Sequence, residues 1–251
     1  MAGAAGLAAT LVPAAAEAAD FLPAVSLQLE AARYEPVETD LHWTGSMGGG
    51  ADLVGLGGVR GYIVGHVETI IGNTRRAFDA NQANYHLETG ARWRMGGVVV
   101  NPFFHHVSRH LVDRPKGPAV DWNMLGVGAE GTLGASRRIR VGGSVGHTTL
   151  ASLVGYRWEL TAHGDYEALR RERMALYAAA AARLVTIHPD PDLVRGDFLD
   201  WSVETGLRFP RQARALEVFA AAERRNDVFL LVPGARTRAL FGARIRLREG
   251  D

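Results

Sequence analysis

The stretch from Asn84 to Met95, NYHLETGARWRM, decides the fold because its residues alternate between two faces of an extended strand. One face is mainly apolar and aromatic, and the other carries charged residues, an asparagine, a histidine and a glycine. The stretch is longer than an ordinary strand of about 5 to 6 residues. It matches the roughly 9 to 11 residues that a tilted strand needs to cross a bilayer. The apolar face holds Tyr85, Leu87, Thr89, Ala91, Trp93 and Met95, and the polar face holds Asn84, His86, Glu88, Gly90, Arg92 and Arg94.

The same alternation recurs from residue 22 onward, and arginine and glutamate recur together on the polar faces. In a membrane barrel the apolar residues face lipid, while charged residues and glycine fill the lumen. The pattern therefore predicts an all-β fold, a transmembrane antiparallel up-and-down β-barrel of about 12 strands, with a soluble all-β domain as the alternative. The candidate strands lie near 23–34, 52–64, 61–72, 82–95, 97–109, 121–133, 136–147, 150–162, 171–187, 197–209, 213–224 and 236–248.

The strand count rests on a few ambiguous segments. Residues 52–64 and 61–72 could form one long strand, and residues 37–46 or 227–233 could supply another. Bacterial single-chain barrels have even strand numbers, so ten and twelve are the options, and we expect twelve. The segment 170–184 is the weakest strand, because its alanine run also favours a helix.

Bulk composition narrows the class of protein further. The chain has 251 residues, a formal net charge of +1, no cysteine, and 28 basic residues spread along its length, which argues against nucleic-acid binding. Residues 1–19 resemble a secretory signal peptide, with small residues at 16–18 for cleavage; an alanine-rich tail or helix is the alternative. We therefore expect residues 20–251 to form a single barrel domain in the bacterial outer membrane.

Candidate catalytic residues occur on two neighbouring strands. Alternation places His106 and Ser108 on one face, and Asp121 and Asn123 on one face of the next strand. If His106 lies opposite Asn123, the antiparallel register also places Ser108 opposite Asp121. These residue types suit a serine hydrolase, with Ser108 as nucleophile, His106 as general base, and either Asn123 or Asp121 orienting the imidazole.

The neighbours of these residues indicate which side of the barrel they occupy. Asn123 shares its face with Leu125 and Val127, and His106 shares its face with Val100 and Phe104. Apolar content makes these the lipid-facing sides, where polar groups are costly unless they serve a function in the membrane. A site there favours a lipid substrate; the alternative is that His106 and Ser108 are ordinary residues of the barrel rim.

Two other motifs do not support a function. The glycine pattern at 126–131 matches a dinucleotide-binding string, but it lies inside an alternating strand with no helix after it. His106 and His110 share a face but lie about 13 Å apart along a strand, and His105 points to the other face, so these histidines with Asp113 do not predict a metal site.

The string His-Val-Ser at 106–108, followed by Trp-Asn at 122–123, resembles the outer-membrane phospholipase A family. That family has a His-x-Ser-Asn-Gly string and then a Trp-Asn pair, on a twelve-stranded barrel. The resemblance implies an exterior triad of His106, Ser108 and Asn123, hydrolysis of phospholipid acyl esters, a calcium requirement and a homodimer. This chain departs from the family at 109–110, where Arg-His replaces the Asn-Gly that helps to form the oxyanion site.

Two further groups share parts of the string. The stretch 104–113 is similar to uncharacterised outer-membrane barrels with a His-x-Ser-Ser-His-Leu-x-Asp pattern, which implies no activity. Lipid A 3-O-deacylases share His-x-Ser with an acidic third member, which would be Asp121 here. We therefore expect an ester hydrolase acting on membrane lipids; the alternative is a non-catalytic barrel, such as a narrow pore, an assembly component or a structural protein.

Overall fold

The computed structural model describes residues 19–113, 115, 120–188, 196–226 and 234–250. Residues 1–18 of the predicted signal peptide lie outside the described residues. The segment 227–233, which could have supplied another strand, also lies outside them. None of the described residues forms a helix long and apolar enough to cross a membrane.

Twelve antiparallel strands form one closed barrel, as the alternation predicted. Each strand pairs with its neighbour in the sequence, and the first strand pairs with the last over the register from Ala24↔Gly250 to Glu35↔Ala239. Closure leaves no free sheet edge, which a bilayer requires because it offers no hydrogen bonds to an exposed backbone. The strands are β1 (Asp20–Glu38), β2 (Leu41–Leu56), β3 (Val59–Gly72), β4 (Asp79–Met95), β5 (Val98–Leu111), β6 (Val120–Leu133), β7 (Ile139–Ser152), β8 (Tyr156–Arg170), β9 (Ala175–Ile187), β10 (Phe198–Arg211), β11 (Arg214–Arg225) and β12 (Arg236–Gly250).

Two predicted strands were wrong in their bounds because each runs across a turn. The predicted strand 52–64 crosses the turn at 57–58, where Gly57 adopts a left-handed φ of 57° that suits glycine. The predicted strand 150–162 crosses the connection at 153–155, where Leu153 also has a positive φ of 62°. At 153–155 apolar residues continue through the connection, whereas Gly57-Gly58 is a turn signal that alternation alone does not register.

The alanine-rich segment forms a strand and not a helix. Residues Ala178 to Ala182 pair with β8 on one side and with β10 on the other. Closure of the barrel therefore overrides the helix propensity of alanine, because losing β9 would leave two open edges inside the bilayer.

The two sides of the wall have opposite character. Trp93, Leu125 and Phe241 on the outer side are more than half exposed to the surroundings, as expected of side chains that lipid covers. The lumen is filled by buried aromatic and aliphatic residues in two clusters. The first cluster contains Ala32, Tyr34, Leu41, Ile70, Tyr177, Phe219 and Leu240, and the second Val107, Trp122, Met124, Tyr156, Val185 and Phe198.

Ion pairs between strands occupy a further part of the lumen. Arg244 on β12 bonds Glu30 at 2.5 Å, Glu204 at 2.8 Å and Glu217 at 2.9 Å. Glu217 is fully buried, and its other oxygen lies 2.6 Å from Nε of Arg208. One carboxylate thus neutralises two guanidinium groups, which ties β10, β11 and β12 together across the lumen.

We predict that Glu217→Ala destabilises the barrel by about 3 to 5 kcal/mol, because it leaves Arg208 and Arg244 without a shared buried counter-charge. Urea unfolding in lipid vesicles measures the change in the free energy of unfolding. The same substitution at Glu172, exposed in the turn between β8 and β9, serves as the control and should change it by less than about 0.5 kcal/mol. Equal effects at the two positions would contradict the role assigned to Glu217.

Candidate functional site

The predicted catalytic residues lie together on β5 and β6, and the register is the one that places His106 opposite Asn123. His106 is paired with Asn123 across the two strands, and Ser108 is paired with Asp121. These pairs lie near the barrel end where residues 112–119 connect the two strands, whereas the opposite end has only the short turn at 96–97 between β4 and β5. Outer-membrane-type barrels have short periplasmic turns and longer extracellular loops. The cluster therefore lies toward the extracellular side.

The side chains of the cluster face outward. Their chain neighbours Val107, Arg109 and Trp122 are almost completely buried and line a lumen cavity. Because side chains alternate along a strand, His106, Ser108 and Asn123 lie on the opposite, outer side of the wall. Ser108 is itself only 9% exposed, since larger side chains on the same wall cover it.

His106 is held by Asn123 in the manner that the sequence predicted for an oriented imidazole. Nδ1 of His106 lies 2.6 Å from Oδ1 of Asn123, a geometry in which the ring nitrogen donates to the amide oxygen. This hydrogen bond fixes the orientation of the ring and leaves Nε2 as the nitrogen that can accept a proton.

Ser108 is bonded to a different histidine from the one that the sequence predicted. Its Oγ lies 2.6 Å from Nε2 of His110, which is also two residues away along β5. In the described part of the chain, no hydrogen bond joins Ser108 to His106. The cluster therefore contains two separate pairs, His106–Asn123 and Ser108–His110, where we expected one continuous triad.

Tyr85 on β4 positions the second histidine. Tyr85 is paired with Ser108 across β4 and β5, and its ring packs edge-on against His110 with centroids 5.7 Å apart at 70°. This contact favours the rotamer that directs His110 back toward the serine. His110 was not among the predicted catalytic residues, although its position two residues from Ser108 on the same face is a signal that could have identified it.

Asp121, the alternative third member, takes no part in either pair. It lies opposite Ser108 on β5 and opposite Ser152 on β7. Among the residues that the structure describes, it forms no hydrogen bond or ion pair. Its carboxylate is therefore not the group that orients His106, and Asn123 occupies that position.

Arg109 lies on the opposite side of the wall from the serine. Its guanidinium carbon is 4.6 Å from the centroid of the Trp122 ring, inside the lumen. Arg109 stands where the resembling family has a residue of the oxyanion region, but its side chain points away from Ser108 and cannot donate to an oxyanion there.

The donors near Ser108 do not fit a calcium ion. Calcium takes about six to eight oxygen ligands, with carboxylates prominent among them. Asp121 is the one carboxylate that the strand register places beside Ser108, and the described residues contain no group of three histidine or acidic side chains placed to hold a metal. We therefore derive no catalytic step from calcium.

The glycine pattern at 126–131 is part of β6, as expected. A Cβ on Gly126 would clash with the Phe103 ring, and one on Gly128 would clash with Asn101, both lumen side chains of β5. These two glycines make room for large side chains that fill the barrel.

Comparison with known proteins identifies the fold. No protein-family model matches the sequence, and no curated protein matches it. The KdgM porin structure matches with a TM-score of 0.51 at 6% identity, over 88% of this chain and 98% of that one. The chain therefore shares the closed β-barrel fold of that porin.

Other outer-membrane structures show weaker similarity. OmpT of Vibrio cholerae matches at 10% identity, over 92% of this chain and 97% of that one, with a TM-score of 0.44. The translocator domain of the autotransporter NalP from Neisseria meningitidis matches at 9% identity, over 90% and 86% of the two chains, with a TM-score of 0.44. At these identities the comparisons concern the fold alone.

We predict that His106 and Asn123 are energetically coupled on the outer wall. Asn123→Leu alone should destabilise the barrel by about 1 to 3 kcal/mol, because it leaves an unpaired imidazole facing lipid. Replacing both residues by leucine should restore the stability or raise it, since no polar group then remains at that pair. A double-mutant cycle by urea unfolding in vesicles measures the coupling, and additive single effects would contradict it.

Proposed function

We propose that this outer-membrane barrel is a serine ester hydrolase that acts on membrane lipids. The observation that carries the proposal is the 2.6 Å contact between Oγ of Ser108 and Nε2 of His110 on the lipid-facing wall. A hydroxyl bonded to an imidazole is the usual arrangement of an activated serine nucleophile. Its position on the outer wall selects a substrate that approaches from the bilayer.

The chemistry follows from this contact. Ser108 attacks the acyl carbonyl of a lipid ester while Nε2 of His110 takes the proton from the hydroxyl. The resulting imidazolium then protonates the leaving alcohol, which releases the deacylated lipid and leaves an acyl group on Ser108. Water activated by the same imidazole hydrolyses the acyl-enzyme and restores the serine.

His106 and Asn123 form the second part of the proposal. The sequence predicts His106 as the base, and the 2.6 Å bond to Asn123 gives it the orientation that this role requires. Because His106 and His110 are both two residues from Ser108, a change of the serine rotamer exchanges one partner for the other. In the present rotamer the base is His110, and His106 is the alternative base.

The cost of the cluster supports a functional role. Polar and ionisable groups on a lipid-facing surface destabilise a membrane protein, so they are rare there and usually serve a function. Here a serine, two histidines and an asparagine occupy one patch among apolar side chains such as Leu87 and Leu125, both exposed on the same wall. If these positions had no catalytic function, apolar residues there would make the barrel more stable.

We predict that Ser108→Ala lowers lipid hydrolysis by about 10³-fold or more, because it removes the nucleophile. The measurement is fatty-acid release from mixed phospholipid and lipid A vesicles by the refolded protein, with and without calcium. Covalent labelling of Ser108 by a fluorophosphonate gives a second readout that needs no knowledge of the lipid. Ser144→Ala, a serine on β7 bonded to Thr161, is the matched control and should retain activity and labelling.

Three further variants identify the base. If His110 is the base, His110→Ala should lower the rate by about 10² to 10⁴-fold, while His106→Ala and Asn123→Ala change it little. If His106 is the base, His106→Ala and Asn123→Ala should lower it together. Equal turnover and labelling by the unmodified protein and Ser108→Ala would remove the hydrolase proposal and leave a non-catalytic barrel.

The homodimer implied by the resemblance stays a prediction, checked by the dependence of the rate on protein density in the vesicle.

A further inference from the structure

The lumen contains a recess at the barrel end with the short turns, far from Ser108. It is separate from the cavity that Val107, Arg109 and Trp122 line. Its volume is about 410 Å³, within the size range of small-molecule sites. The turn at 57–58 and the last residues of β4 and β12 form its rim. The recess is therefore open to the periplasmic side, whereas the candidate active site lies toward the extracellular side.

Arginine dominates the lining of this recess. Four guanidinium groups, of Arg60, Arg92, Arg94 and Arg248, line it against two carboxylates, of Asp52 and Glu130. The excess of positive charge is concentrated in a protein whose overall net charge is only +1.

The deeper carboxylate is already shared by two of these arginines. Oδ1 of Asp52 lies 2.5 Å from Arg92, and Oδ2 lies 3.4 Å from Arg60. Arg94 and Arg248 have no ion pair with any residue that the structure describes. Their donors remain available to a ligand that brings its own negative charge.

The arginines face the lumen and not the bilayer. Arg94 lies between Trp93 and Met95, which are both exposed on the lipid side, so its own side chain lies on the inner side. Arg248 occupies the same side of β12 as Arg244, which bonds Glu30 inside the lumen. These side chains therefore point away from the bilayer, and the open end of the recess admits a small solute from the periplasmic side.

We propose that this recess binds a small multivalent anion that carries carboxylate or phosphate groups. The planar guanidinium fork matches both groups in a bidentate geometry. An anion with two or more negative groups brings several acceptors to the lining guanidinium groups and compensates their positive excess. The site is independent of Ser108 and of the proposed hydrolysis.

The test is isothermal titration calorimetry of the protein refolded in a non-ionic detergent at low ionic strength. Pyrophosphate or citrate should bind saturably with one site per chain, and acetate at least about tenfold more weakly. Binding should weaken as salt is added, because screening reduces the attraction between exposed charges. No saturable binding of either multivalent anion would overturn the proposal, and so would equal affinity for acetate.

Variants expected to weaken binding and a variant expected to tighten it together distinguish an effect on binding from damage to the fold. Arg94→Gln and Arg248→Gln should each weaken binding about tenfold or more, because each loses a charged donor. Glu130→Gln removes a lining carboxylate and should tighten binding severalfold, a gain that a misfolded protein cannot produce. Arg173→Gln, in the exposed turn between β8 and β9, makes the same charge change outside the recess and should leave the affinity unchanged. Equal loss in Arg173→Gln and Arg94→Gln would attribute binding to overall charge and overturn the assigned site.

Discussion

The barrel depends on neutralisation of charge inside its lumen. Each strand that presents an apolar face to lipid must present its other face inward, and in this chain that face carries arginine and glutamate. Glu217, Glu204 and Glu30 surround Arg244, and Glu217 also holds Arg208. The lumen tolerates these five residues because each has a partner of opposite charge on a different strand, so their ion pairs also fix the positions of the strands relative to one another.

The candidate active site is an exception to the division between an apolar outer face and a charged inner face. On β5 the inner residues Val107 and Arg109 are buried in the lumen against Trp122. The outer positions of the same strand carry the polar side chains of the candidate site, where apolar residues would be expected. The outer polar groups lack the network that compensates the lumen charges, and each has a single hydrogen-bond partner instead. Two isolated pairs on an apolar wall cost stability, and chemistry on a lipid gives a reason for keeping them.

The sequence predicted the features that follow from the alternation of side chains along a strand. Alternation predicted the barrel, its twelve strands and the shared face of His106 and Ser108. It failed where the backbone departs from a regular strand. The register shift between Tyr156 and Trp158 turns Tyr156 into the lumen, and turns at 57–58 and 153–155 divide stretches that alternation assigned to single strands. The partner of Ser108 was also beyond the reach of spacing, because His106 and His110 lie equally far from it. The choice depends on Asn123 holding one ring and Tyr85 packing against the other.

The pairing of β1 with β12 has a consequence for the order in which the protein is assembled. Glu30 and Arg244 are 214 residues apart in the chain, yet they share one ion pair next to the closing seam. A growing chain that lacks its last strand has an open edge on β1 and on β11, together with carboxylates that have no counter-charge. Neither defect is tolerated in a bilayer. Insertion of the closed barrel must therefore wait for β12, which is the last of the twelve strands to leave the ribosome.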